Sequence, residues 1–293
     1  MYEILEPRNL KQLELLQLRS QRRFLGSRQG GNASLKRGHG IEFADYRRYE
    51  LGDDPRYIDW GVYGRTDRVY VKQFQEEQDI TVFCLLDLTA SMFHPEVDGK
   101  ARKAIEVALG LMYVTLSHHD RVQLTIPGFK SLGPSSGSDF IHRLAGLCEE
   151  APMVSPEDFE EGMTNFLHSV RYPGICIYIS DFFSPLEQIR AHFEALYMQN
   201  LDVIALRVTG DHDHDPAFSK GEAVFVDSET QAELPLQWSQ SMAKEYNFRF
   251  EEHERGLRDL ASKYQMHFFT YRASEPLLAF FSNTLAGSGV LRG

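Results

Sequence analysis

One stretch constrains this chain more than any other: Ile80-Thr-Val-Phe-Cys-Leu-Leu-Asp-Leu-Thr-Ala-Ser-Met92. A nearly unbroken apolar run ends in a carboxylate, Asp87, and two hydroxyls follow at alternate positions, Thr89 and Ser91. A run this short and this apolar reads as a strand covered on both faces, which implies a parallel sheet with helices packed over it. The residues after it read as a metal-binding loop.

The rest of the chain alternates as such a sheet requires. Helical spacing is expected over Lys100–His118, with Ile105, Ala108, Leu109, Met112 and Leu116 on one face. Arg121–Ile126 reads as the second strand and Leu132–Ser138 as a Gly/Ser-rich turn. Asp139–Glu149 and Ser155–Val170 read as helices. Ile175–Ile179 is another wholly apolar strand, closed by Ser180-Asp181. Pro185–Met198 reads as a helix, Leu201–Val208 as a strand, and Glu222–Val226 with Leu234–Leu236 as a surface hairpin. Arg249–Tyr264, Met266–Tyr271 and Glu275–Leu285 complete the pattern as helix, strand and helix. The expected fold is α/β: a doubly wound, mostly parallel sheet over residues 80–288.

Two segments precede that domain. Residues 1–39 read as a basic helix over Pro7–Leu25 and a Gly/Ser/Asn-rich loop over Gly26–Gly40. Residues 40–79 are dense in aromatics, Arg and Asp. Strands near Ile41–Tyr46 and Val69–Phe74 flank the turn Gly52-Asp-Asp-Pro55. They suggest a small β-rich extension with a polar network, burying Tyr57 and Trp60 against the next domain.

Charge narrows the function classes. The net charge is −11. Residues 1–37 carry eight Lys/Arg against three Glu, so the acidity lies in the body. An acidic body excludes a dedicated nucleic-acid binder. The basic N-terminus leaves room for peripheral contact with an acidic partner or membrane surface. Cys84, Cys148 and Cys176 form no CxxC pair and read as buried hydrophobes in a reducing compartment. No apolar run approaches the roughly 20 residues of a membrane span, and the N-terminus lacks the regions of a signal peptide. A cytoplasmic location follows as an expectation.

In an open α/β sheet, ligands bind beyond the carboxyl ends of the strands where strand order reverses. Strand one ends at Asp87 and the returning strand at Asp181, so the two should meet. A third piece is Glu161-Gly-Met-Thr-Asn165, read as a loop leading into a helix at Asn165. There Gly162, followed by Thr164, suits close approach to a ligand. Asp87, Thr89, Ser91, Thr164 and Asp181 are all hard oxygen donors, suited to Mg²⁺ first and to Mn²⁺ or Ca²⁺, not to zinc. Two carboxylates balance a dication and leave it affinity for one more anionic oxygen.

Asp87-Leu-Thr-Ala-Ser91, Gly162-Met-Thr164 and Ser180-Asp181 resemble the metal-ion-dependent adhesion site (MIDAS) of von Willebrand factor A domains. The stretch from Gly40-Ile-Glu-Phe43 to Tyr49-Glu-Leu-Gly-Asp-Asp-Pro-Arg-Tyr-Ile-Asp-Trp60 resembles the signature of domain-of-unknown-function family fifty-eight, which is von Willebrand factor A-like. The resemblance covers about residues 35–285. It implies a Rossmann-type topology and a non-enzymatic binding or scaffold role beside a MoxR-type AAA+ ATPase, in protein maturation or chaperone-like remodelling. It also implies a division of labour. Asp87 anchors the metal, Thr89 and Ser91 ligate it directly, Thr164 joins when a partner is bound, and Asp181 holds a water. Thr89 departs from the usual serine, and Phe182-Phe183 follow Asp181 where many A domains have glycine.

The rival reading is a Mg²⁺-dependent, phosphatase-like hydrolase with Asp87 as nucleophile. Thr89 stands where such enzymes carry a second aspartate. The chain lacks a P-loop and a Gly-x-Ser-x-Gly elbow. Asp211-His-Asp-His-Asp215 and His118-His-Asp120 read as solvated rather than metal-ligating, and His94 as a solvated loop histidine.

Overall fold

The computed structural model describes residues 2–19, 42–75, 81–171, 173–214, 221–226 and 233–292. The expected loop at 26–40 lies outside them. The chain divides into two compact units, residues 24–79 and the remainder.

The N-terminal segment belongs to the larger unit. Its helix α1 is only Pro7–Leu13, shorter than the periodicity predicted. Ile4 and Leu13 are buried in the core, and the chain then turns to pair β1 (Gln17–Leu18) with a strand at the far end of the sequence. The leucine spacing that reads as one long helix thus serves two elements, because the core claims Leu13 and Leu18 from different backbone geometries.

In the smaller unit, β2 (Glu42–Arg48) pairs antiparallel with β3 (Tyr70–Gln75). Helix α2 (Trp60–Thr66), which the sequence reading did not anticipate, lies between them in the chain. Its aspartates are consumed locally. Asp53 holds Arg47 at 2.7 Å, Asp54 holds Arg56, and Asp59 caps α2 through Val62 N–H while accepting from Tyr46. The expected polar network is present. Within this unit Trp60 packs edge-on against Tyr63.

The larger unit holds a six-stranded sheet with helices flanking it. Strand β4 (Thr81–Leu86) leads into the short α3 (Ala90–Phe93) and then α4 (Lys100–Ser117). Strand β5 (Arg121–Ile126) pairs parallel with β4. The next strand, β6 (Lys130–Ser135), is an antiparallel edge where a turn was expected. Gly133 and Pro134 disguise it, and an edge is where proline is tolerated. Helices α5 (Phe140–Glu150) and α6 (Pro156–Ser169) follow. Then β7 (Ile175–Ser180), α7 (Leu186–Met198) and β8 (Asp202–Thr209) continue the sheet. Next come α8 (Asp211–His214) and the hairpin β9 (Gly221–Val226) with β10 (Glu233–Trp238). Helix α9 (Gln240–Lys263) begins nine residues before its predicted start, capped by Ser239 on Met242 N–H. Strand β11 (His267–Arg272), the single turn α10 (Leu277–Ala279), a π-helical turn over Phe280–Leu285 and β12 (Leu291–Arg292) end the chain.

The sheet order is β11-β8-β7-β4-β5-β6, all parallel except β6. Order therefore reverses between β4 and β7, the place where such sheets bind ligands. Every residue of β7 and β8 is buried, as is all of β4 after Thr81. Helix α4 is buried along most of its length, so it sits inside the core rather than on it. The three cysteines are buried and unpaired.

Candidate functional site

Strand β4 does not stop abruptly. Asp87 N–H still bonds Ile179 O of β7 at 2.9 Å, so the carboxylate emerges beside the end of the neighbouring strand. It is enclosed by donors. Thr89 N–H and Thr89 Oγ1 both donate to Oδ1, at 2.9 and 2.8 Å, and Ser180 Oγ donates to Oδ2 at 2.6 Å. Despite these three bonds, burial and the nearby Asp181 charge raise the Asp87 pKa to about 6. Desolvation and like-charge repulsion thus outweigh the hydrogen bonds, and the negative charge at Asp87 is incompletely compensated.

Thr89 has an extended backbone and starts α3, which carries Ser91 one residue into the turn. The two hydroxyl oxygens lie 3.3 Å apart. Neighbouring ligands of one octahedral cation would be separated by about 3.0 Å for Mg²⁺ and about 3.4 Å for Ca²⁺. The pair therefore fits a hard dication, as its oxygen chemistry does.

Asp181 follows β7 and is 2% exposed. Phe183 N–H donates to its Oδ1 at 3.2 Å, and Lys100 Nζ lies 3.3 Å from its Oδ2. Arg207, a buried arginine on β8, donates through Nε to the Asp181 carbonyl. Phe182 adopts φ +53°, the left-handed region that favours glycine. Its ring is buried against Tyr178, Phe193 and Phe268, and His253 meets its carbonyl at 2.7 Å. The departure from glycine is therefore accommodated by aromatic packing, which offsets a backbone cost of about 1–2 kcal/mol.

The structure brings together four of the five predicted donors and places the fifth elsewhere. Thr164 lies within α6, not in a loop: it is exposed, and its hydroxyl bonds Glu160 O one turn back at 3.0 Å. Gly162 does permit a close approach, but to backbone. A side chain there would strike the Pro127–Gly128 turn. The segment that actually lies beside the hydroxyl loop is Ala151–Ser155. Val154 N–H donates to Leu88 O at 2.9 Å, and Val154 forms a parallel bridge with Thr89. Ser155 then caps α6 through Asp158 N–H.

Sequence reasoning missed three charged groups. Lys100, 1% exposed, is shared between Asp181 and Asp213, whose Oδ2 atoms both lie 3.3 Å from Nζ. Asp213 comes from the Asp-His stretch read as solvated. It is buried, and it also accepts Gly210 N–H at 2.7 Å. His212 behaves more nearly as expected, half-exposed with its ring on Asp98 at 2.7 Å. Arg207 ion-pairs with Glu254 and lies over the rings of Phe183 and Phe250. An arginine inside the otherwise apolar run Val203–Val208 was the available signal, since such a residue is almost never buried without partners.

An α/β domain with an oxygen-rich site at its switch point defines the class of protein. The chain belongs to the family described as protein of unknown function DUF58, whose model matches residues 45–256. An uncharacterized protein of Mycobacterium bovis and one of Mycobacterium tuberculosis are 24% identical over 235 residues, covering 78% of this chain and 73% of theirs. Among solved structures, the conserved hypothetical protein BatB from Bacteroides thetaiotaomicron overlaps with a TM-score of 0.40 at 13% identity, over 72% of this chain and 98% of that one. An aerotolerance-related membrane protein from Bacteroides fragilis overlaps at 0.35 and 14%, over 64% and 98%. Overlaps this loose define neither site nor function. No helix among the described residues is long and apolar enough to cross a membrane.

Proposed function

We propose that this chain is a non-enzymatic, von Willebrand factor A-like binding module that captures an acidic group on a protein partner through a divalent cation. Asp87, Thr89, Ser91 and Asp181 would hold the ion, which supplies a Lewis-acidic position for the partner's carboxylate. The observation that carries the reading is the balance of charge. Lys100 and Arg207 are taken up by Asp181, Asp213 and Glu254, while Asp87, buried beside Asp181, keeps an undercompensated charge next to the Thr89 and Ser91 hydroxyls. A dication neutralises that charge, and neutral hydroxyl ligands leave it able to attract one more anion. The family resemblance points to a MoxR-type AAA+ ATPase as the partner, with maturation or remodelling of client proteins as the setting.

The hydrolase reading has less support from the geometry. A nucleophilic carboxylate needs a free oxygen and a full charge. Both Asp87 oxygens already accept protein hydrogen bonds, so neither is free to attack.

Metal binding to the native state alone stabilises it by mass action. Millimolar Mg²⁺ or Mn²⁺ should therefore raise the melting temperature of wild type and leave Asp87→Ala unmoved. Thr164→Ala should keep the full metal-induced rise, because that hydroxyl is bonded within α6. A wild-type melting temperature indifferent to both ions would sink the reading.

A further inference from the structure

We infer that Lys100 is a resident counter-cation for Asp181, which an incoming divalent ion must displace toward Asp213. The inference rests on the metal-capture reading above and names the residue that sets how tightly that site binds.

Position is the first argument. Lys100 is the first residue of the 18-residue helix α4, where the helix dipole opposes a positive charge. It is also 1% exposed, so its ammonium has lost its water. A purely structural role at such a place is served as well or better by apolar side chains replacing Lys100, Asp181 and Asp213 together, since buried ion pairs seldom add net stability. A lysine retained against both penalties speaks for a task that needs the charge.

Geometry is the second. Nζ lies at equal distance, 3.3 Å, from Asp181 Oδ2 and Asp213 Oδ2, and 4.9 Å from the centre of the Phe183 ring. The two carboxylates are not equivalent. Asp181 directly follows β7, next to Asp87, whereas Asp213 sits one turn beyond β8, held by Gly210 N–H. When a cation takes Asp181, Lys100 keeps a partner already in place. The exchange leaves no unpaired buried charge, the condition that otherwise makes breaking such a pair costly.

The third argument is asymmetry. Asp87 is satisfied by hydroxyl and amide donors that a bound ion can leave undisturbed, while Asp181 alone of the predicted donors carries a resident cation. Lys100 thus lowers the affinity of the free site for metal, and a partner's carboxylate is required to complete tight binding.

The test is Mn²⁺ affinity by calorimetry for wild type and Lys100→Gln, with circular dichroism confirming the fold. The variant should bind Mn²⁺ at least tenfold more tightly than wild type. Equal or weaker binding by a folded variant overturns the inference and leaves the metal-capture reading standing. Failure of both proteins to bind overturns both. Should Lys100→Gln not fold, the side-chain ¹⁵Nζ resonance of Lys100 in wild type, identified by its absence in Lys100→Arg, decides the matter. A shift of that resonance at Mg²⁺ concentrations that fill the site supports displacement, and an unmoved resonance refutes it.

Discussion

Replacing Asp87 with asparagine should make the metal-free protein more stable at neutral pH, although it removes the central residue of the site. The carboxyl is moved from near 4 up to about 6 by burial first and by Asp181 second, against the pull of Ser180 and Thr89. Two pH units correspond to a bias of about 3 kcal/mol toward the neutral form. An acid whose folded-state pKa lies above its unfolded one contributes stability that is fully present below about pH 4. That stability is lost as pH rises through about 6. At pH 7.5 wild type therefore bears the whole cost of a charged Asp87. Asparagine escapes it but cannot accept all three donors, since its amide group must face either Ser180 or Thr89. One forfeited hydrogen bond costs about 1 kcal/mol. The net gain is about 2 kcal/mol, or a melting temperature higher by about 4–8 °C. Urea denaturation in chelator, from pH 4 to 7.5, measures it. The variant should be the more stable at pH 7.5 and the less stable by about 1 kcal/mol near pH 4, with the curves crossing between. A variant that is weaker at pH 7.5, or a gap constant across the range, would refute the account of an undercompensated carboxylate.

Two further substitutions test the surroundings of the site. Phe182→Ala should cost about 3–5 kcal/mol through loss of the buried ring, and Phe182→Gly about 1 kcal/mol less, because only glycine is at ease at φ +53°; chemical denaturation showing alanine to be the better tolerated would contradict the strain assigned there. Gly162→Ala should lower stability by about 1–3 kcal/mol, since its methyl group meets the backbone of Pro127 and Gly128, which cannot move aside as a side chain can; an unchanged denaturation midpoint would show that α6 and the β5–β6 turn separate freely.

The parts of this fold that can be read from sequence are those in which one physical signal acts alone. Strand β5 begins and ends where the apolar pattern says, and α4 begins at Lys100 as predicted, because burial on the sheet and along the helix leaves no competing demand. Misreadings occur where two demands overlap. The N-terminal leucines satisfy a helical repeat and also a strand register, and tertiary pairing with β12 decides between them. Helix α9 starts early because none of Gln240–Asn247 is fully buried, so periodicity has little to report there, and the cap at Ser239 is the physical start signal. At Thr164 the error was of neighbourhood. A glycine that accepts close contact looks the same whether the visitor is a ligand or the Pro127–Gly128 backbone, and only the pairing of Val154 with Leu88 and Thr89 shows which segment flanks the hydroxyl loop.

The charged cluster was hidden for a different reason. Asp87, Asp181 and Asp213 lie far apart in the chain, yet each belongs to the carboxyl end of one of three adjacent strands, β4, β7 and β8. Strand adjacency makes them neighbours, and a single lysine on the helix that follows the first of these strands serves the other two. Reading Asp87 and Asp181 together needed only the assumption that strand order reverses between them. Reading Asp213 needed the knowledge that β8 lies directly beyond β7 and that the chain turns back at Gly210, where the Asp98 side chain leaves no room for a Cβ. An acidic, histidine-rich stretch otherwise resembles any solvated loop. The same adjacency explains why the charge cannot be redistributed by local repacking. Asp87 and Asp181 each directly follow a strand buried on both faces, so the undercompensated charge at Asp87 persists until a cation or a proton arrives.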